Sequence, residues 1–147
     1  MGKDDDMRWM KSESGQSVIE MALVLPMLLV VCIGMAELGR ATWAWNMAQM
    51  AASEAARRSI VISNGAWADT ARAAARSILY GRDGTTEKMF AGAGVQVLPT
   101  LDKSQTPYIL TVDVDVPIRL VMDFWTLKGY NIHGHASMPV QPAFVDN

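Results

Sequence analysis

Few side chains in this sequence are placed to do chemistry, and Glu20 is the first of them. From Ser14 to Ala36 it is the only charged residue. A carboxylate inside such a run costs up to ~2.5–3.5 kcal/mol at the middle of a bilayer and less near its edge, so an acid kept there is a functional candidate. The plainer reading is that Glu20 marks the membrane edge and reaches into the headgroups. A second constellation joins His133 and His135, on one face of an expected strand, to Asp113 and Asp115, on one face of its expected neighbour. Four such groups could hold a divalent metal, although such residues more often make a solvated sheet face, and no metal is expected. Cys32 is the sole cysteine, which excludes an intrachain disulfide and a Cys-rich zinc site. The Leu29-Val30-Val31 before it lacks the small residue that lipidation needs, so Cys32 reads as a small apolar side chain. Ser12-Glu13-Ser14-Gly15 has neither the flanking glycine nor the preceding strand of a hydrolase elbow. With no phosphate loop or dinucleotide fingerprint either, neither an enzyme activity nor a cofactor is expected.

The element that carries Glu20 is a membrane span. Gln16 to Ala36 as a helix would cover roughly 32 Å, close to the ~30 Å hydrocarbon core. Pro26 is compatible with this, because membrane helices accommodate proline. A buried helix of a soluble protein is the alternative, but the run has no wet face. Lys3, Arg8 and Lys11 precede the span and only Arg40 follows it closely, which predicts a cytoplasmic N-terminus and an external C-terminal part. The chain of 147 residues is 50% hydrophobic and 19% charged, with a net charge of -2. These values exclude a mostly disordered chain and give no electrostatic footprint for nucleic acid.

The residues around Glu20 add a specific likeness. Gly15-Gln16-Ser17-Val18-Ile19-Glu20, followed by the apolar run, resembles a prepilin processing site. Ile19-Glu20-Met21-Ala22-Leu23-Val24-Leu25-Pro26, then Gly34-Met35-Ala36-Glu37-Leu38-Gly39-Arg40-Ala41, then Ala51-Ala52-Ser53-Glu54-Ala55-Ala56-Arg57, resembles the TadE-like family. These are minor pilins, or pseudopilins, of the Tad (Flp-type) branch of type IV pilus systems. The resemblance implies a leader of residues 1–15, cut between Gly15 and Gln16 by a prepilin peptidase. It implies a transmembrane segment of residues 16–36 and an external part of residues 37–147. It also implies partners among other pilins and the inner-membrane assembly platform. Major Flp pilins carry tyrosine after the glutamate; Met21 stands here, which favours a minor pilin. Cleavage would place a new α-amino group near Glu20. In a stack of subunits that ammonium can sit beside a neighbour's carboxylate, each charge lowering the other's penalty and disfavouring other registers. The same register role is assigned to the glutamate of similar pilins.

Beyond the span, alanine concentrates between Ala36 and Ala75 and favours helix. A helix is predicted from about Ser17 to Ile62, ending at Ser63-Asn64-Gly65. Leu38, Ala41, Trp45, Ala48, Ala52, Ala55, Ser59 and Ile62 form its packing stripe, with Glu54 and Arg58 as an i,i+4 pair on the other side. The small-sided stripe is covered by the chain's own external domain, by neighbouring helices, or by both. Trp43, Trp45, Met47 and Met50 read as an interfacial belt or as domain contacts. A second helix is predicted over Ala66 to about Tyr80, with Asn64 or Gly65 beginning it. Strands are predicted at Gly94–Leu98, from Tyr108 to Val116 and from Tyr130 to Met138, with Leu101–Pro107 as a turn and Pro117 as a stop or bulge. Thr85–Gly94 reads as a loop with a turn of helix, Met122–Gly129 as an apolar connection and Pro139–Asn147 as a loose tail.

The expected fold is therefore α+β and type IV pilin-like: a long N-terminal helix continuing outside the membrane, a second helix and a small antiparallel sheet of about three strands. The expected function is that of a membrane-anchored minor pilin in a pilus used for adherence. The alternative is a secreted or anchored envelope protein, cut by signal peptidase after Gly34-Met35-Ala36 or not cut at all.

Overall fold

The computed structural model describes residues 13–61, 66–80, 94–118 and 130–141. In chain order they form helix α1 (Glu13–Ser59), helix α2 (Trp67–Leu79) and strands β1 (Gln96–Asp102), β2 (Tyr108–Ile118) and β3 (Tyr130–Val140). The architecture is α+β, with one three-stranded antiparallel sheet in the order β1-β2-β3. The chain divides into two compact units, Met1–Leu38 and Gly39–Asn147.

The first unit contributes the apolar part of α1. Pro26 lies inside the helix. Val18, Ile19, Met21, Met27 and Met35 are each about two-thirds exposed, and no residue of the most apolar stretch is buried.

The second unit is organised around one face of the sheet. Leu110, Val112, Val114, Val116 and Ile118 point inward from β2, and Val97 and Val140 join them from β1 and β3. Alanines cover this face: Ala44, Ala48, Ala51, Ala52, Ala55 and Ala56 from α1, and Ala71, Ala74 and Ala75 with Leu79 from α2. The small side chains let helix backbone approach sheet closely, so large aliphatic residues on one layer meet methyl groups on the other. Among the described residues, every buried side-chain polar atom has a hydrogen-bond partner. Ser59 is the buried polar residue of the core, and its hydroxyl donates to the Ala55 carbonyl at 2.7 Å.

Helix boundaries lie close to those expected. α1 runs from Glu13 rather than Ser17 and ends at Ser59 rather than Ile62. α2 buries Ala71, Ala74, Ala75 and Leu79 and exposes Asp69, Arg72 and Arg76. Its N-cap is Ala66, which makes no side-chain capping bond. The stop at residues 63–65, the segment 85–93 and the connection 122–129 lie outside the described residues.

The strands depart from expectation at their prolines, for one physical reason. β1 runs through Pro99 to Asp102 instead of ending at Leu98, β2 runs through Pro117 to Ile118, and β3 takes in Pro139 and Val140. The His135 N–H leaves the ladder to reach Gln49, so the paired residues Asp113 and His135 do not bond each other through the backbone. Alternation along antiparallel strands then sets the direction of every other backbone N–H. Pro139 directs its nitrogen to the side of β3 away from β2, and Pro99, opposite Val112, to the side of β1 away from β2. Pro117 turns its nitrogen toward the β1 side, two residues past the last pair, Gln96 with Asp115. No ladder bond is lost at any of the three, which is where sheets tolerate proline. Among the described residues β1 and β3 are the outer strands, where such prolines oppose pairing with other chains.

Candidate functional site

Three groups of residues carry the functional argument. The first is the start of α1. Gly15, Gln16 and Glu20 are all exposed and all lie within the helix. The Gln16 amide donates to the Glu20 carboxylate at 3.4 Å, a long i,i+4 contact. A Cβ added at Gly15 would meet nothing within 4 Å. The apolar side chains that follow are exposed among the described residues, and burying each is worth about 1.5–3 kcal/mol. A helix of this length and composition fits a single-pass membrane anchor.

The second group is the alanine face of α1 in the second unit. Of the residues expected to pack, Ala48, Ala52 and Ala55 are fully buried and Ala41 is half-buried. Leu38 is 71% exposed and Trp45 52% exposed. The buried face adds Ala44, Ala51 and Ala56, so it is broader than the stripe. Trp43 and Met50 are exposed, whereas Met47 packs against the core. Glu54 and Arg58 form the expected pair at 2.7 Å.

Two residues fix this face, and both escaped the packing stripe. Gly134 on β3 lies directly beneath α1: a Cβ there would sit 2.3 Å from the Ala48 carbonyl oxygen and 2.4 Å from its carbon. One turn of helix backbone thus rests on sheet backbone. A glycine inside a strand pattern is the available sequence signal for such an approach. Gln49 accepts the His135 backbone N–H at 2.6 Å, tying α1 to the edge of β3. Nothing in the sequence pattern singled out Gln49.

The third group lies on the outer face of the sheet. The register sets Asp113 opposite His135 and Asp115 opposite His133. His135 Nδ1 contacts Asp113 Oδ1 at 2.7 Å, and His133 Nδ1 contacts Asp115 Oδ1. The imidazoles are exposed, at 61% and 73% of their side-chain surface. Among the described residues, no three His, Cys, Asp or Glu side chains converge to hold an ion. At the β1–β2 turn, Asp102 accepts hydrogen bonds from the Ser104 hydroxyl and N–H, which hold its carboxyl below the usual range.

Comparison with known families bears on the first two groups. Residues 15–57 match the family model described as TadE-like protein. The matched segment begins at Gly15, takes in Glu20, the apolar run and most of the alanine face, and ends at Arg57. It agrees with the resemblance read from the residues. No curated protein and no solved structure matches the chain. The TadE-like match points to a protein associated with a Tad pilus.

Proposed function

We propose that this protein is a membrane-anchored minor pilin, or pseudopilin, of a Tad (Flp-type) pilus that serves adherence. The observation that carries this reading is the TadE-like match over residues 15–57, a segment whose exposed apolar run holds Glu20 as its lone charge. Residues 16–36 anchor the chain in the inner membrane, with the N-terminus cytoplasmic and residues 37–147 external. A prepilin peptidase cuts between Gly15 and Gln16. That bond lies in the first turns of α1, so presenting it requires opening only the helix end. Glycine makes this easier, weakening a helix interior by about 1 kcal/mol relative to alanine. After the cut, the Gln16 ammonium pairs with Glu20 of a neighbouring pilin and fixes the axial register. The protein carries no catalysis of its own; its work is done through other pilins and the assembly platform.

N-terminal sequencing of the membrane-extracted protein tests processing. A start at Gln16 is expected. A start at Glu37 would instead support signal-peptidase cleavage and a secreted protein, and an intact Met1 a plain anchor. Glu20→Ala tests the register role: cleavage is expected to continue while pilus assembly falls. Normal assembly by that variant would sink the assignment.

A further inference from the structure

We propose that the outer face of the sheet binds a divalent transition-metal ion through the Nε2 atoms of His133 and His135. The argument begins with tautomers. An ionised carboxylate only accepts hydrogen bonds, so an imidazole nitrogen facing one carries the hydrogen. Both Nδ1 atoms face such carboxylates, Asp115 for His133 and Asp113 for His135. In the neutral ring the lone pair then lies on Nε2. Two chelating nitrogens are thereby held in the form that binds metal.

Their placement is as specific as their tautomers. His133 and His135 are two residues apart on β3 and share its outer face, roughly 7 Å apart at the backbone. Both rings are largely exposed, so they can lean together over one ion with metal–nitrogen distances of about 2.0–2.1 Å. Behind them stand Asp113 and Asp115, as carboxylates stand behind metal-bound histidines, where they fix the ring and raise its basicity. On β1, Gln96 pairs with Asp115 and Leu98 with Asp113, so among the described residues these rows add no cation that would repel an ion. The site is a two-nitrogen chelate with its other coordination positions open to water, not a closed structural centre. Imidazole ligands without thiolate favour Cu2+ most, then Zn2+ and Ni2+, over Mg2+ or Ca2+.

The test uses the full chain in detergent, titrated with Cu2+ and followed by electron paramagnetic resonance, with Zn2+ as competitor. Wild type is expected to bind one ion with the hyperfine signature of two imidazole nitrogens, and Zn2+ to displace it. Binding is counted against the His133→Ala/His135→Ala double variant, because Asp4, Asp5, Asp6 and the chain terminus offer other donors. Each single histidine variant is expected to lose the two-nitrogen signature. Asp113→Asn with Asp115→Asn is expected to keep both nitrogens but bind about 10–100-fold more weakly. That result separates positioning carboxylates from direct ligands, since a direct ligand's loss would change the spectrum. Both histidines are exposed, so circular dichroism is expected to show every variant folded. Equal binding by wild type and the double histidine variant, or a spectrum without two nitrogens, would overturn the proposal.

Discussion

Gly134→Ala is the most demanding test of how the second unit is packed. The added Cβ would fall 2.3 Å from the Ala48 oxygen, 2.4 Å from the Ala48 carbon and 2.9 Å from the Gln49 nitrogen. Carbon contacts are comfortable at about 3.5–4.0 Å, so α1 must retreat from β3 by more than ~1 Å. No side-chain rotation relieves this, because all three atoms are helix backbone. Retreat would loosen Ala48, Ala51 and Ala52 from the sheet and stretch the bond from the His135 N–H to Gln49, now 2.6 Å. Overpacking of this kind costs about 1–3 kcal/mol, and the rigidity of the obstacle puts this site near the upper figure. For a unit of this size, about 3 kcal/mol lowers the melting temperature by roughly 12–24 °C. The assay is thermal unfolding of the full chain in detergent, followed by near-ultraviolet circular dichroism. Gly39→Ala is the control, since a Cβ there meets nothing within 4 Å and alanine favours helix. A Gly134→Ala protein melting within about 3 °C of wild type would refute the close approach of helix and sheet.

Further outcomes follow from the same packing and from the turn. Ala52→Leu drives a large side chain into a fully buried site and is expected to cost about 1–3 kcal/mol in denaturant unfolding, whereas Leu38→Ala, at a 71% exposed residue, leaves the midpoint unchanged. Gln49→Ala removes the acceptor for the His135 N–H and is expected to cost about 0.5–1.5 kcal/mol; amide exchange at His135 should quicken, and unchanged exchange would contradict the bond. The folded-state pKa of Asp102 is depressed by the Ser104 bonds, so its stabilisation is present above the ordinary carboxylate pKa of about 3.9 and is lost as pH falls through the lower folded value. Asp102→Asn should therefore be less stable than wild type at neutral pH and converge with it in acid; a gap independent of pH would count against the assignment.

What could be read before the structure, and what could not, follows from the range of the forces involved. Helices and the inward face of β2 follow from local pattern: alanine density, and alternation from Leu110 to Val116. Glu20 stands out because its neighbours are apolar, again a local property. The ends of the strands depend instead on where partner strands stop. Pro117 is compatible with a strand only because β1 ends opposite Asp115, and no property of residues near Pro117 records that. The packing stripe leaves out Ala44 and Ala51 because 100° periodicity finds a face but not its edges. The edges are set by β3, through Gly134 beneath Ala48 and the His135 N–H bonded to Gln49, more than eighty residues away along the chain. The histidine–aspartate rows were visible as two pairs, but their pairing partners needed the register of β2 against β3.

Helix α1 shows how side-chain size alone can assign two tasks to one continuous element. In the first unit its surface is leucine, valine and methionine, half or more exposed, as suits lipid contact. In the second unit the buried positions from Ala44 to Ala56 are all alanine, as suits contact with backbone. Lipid accommodates bulk, because its chains rearrange around any apolar shape. A strand backbone does not, so the sheet accepts only residues that leave the helix close to Gly134. The change from large to small apolar residues therefore marks what each stretch of α1 touches, even though hydrophobicity continues across it. The TadE-like match spans both stretches, from Gly15 to Arg57. What the matched segment encodes is thus an apolar helix that fits a membrane anchor, together with the helix face on which the sheet is built.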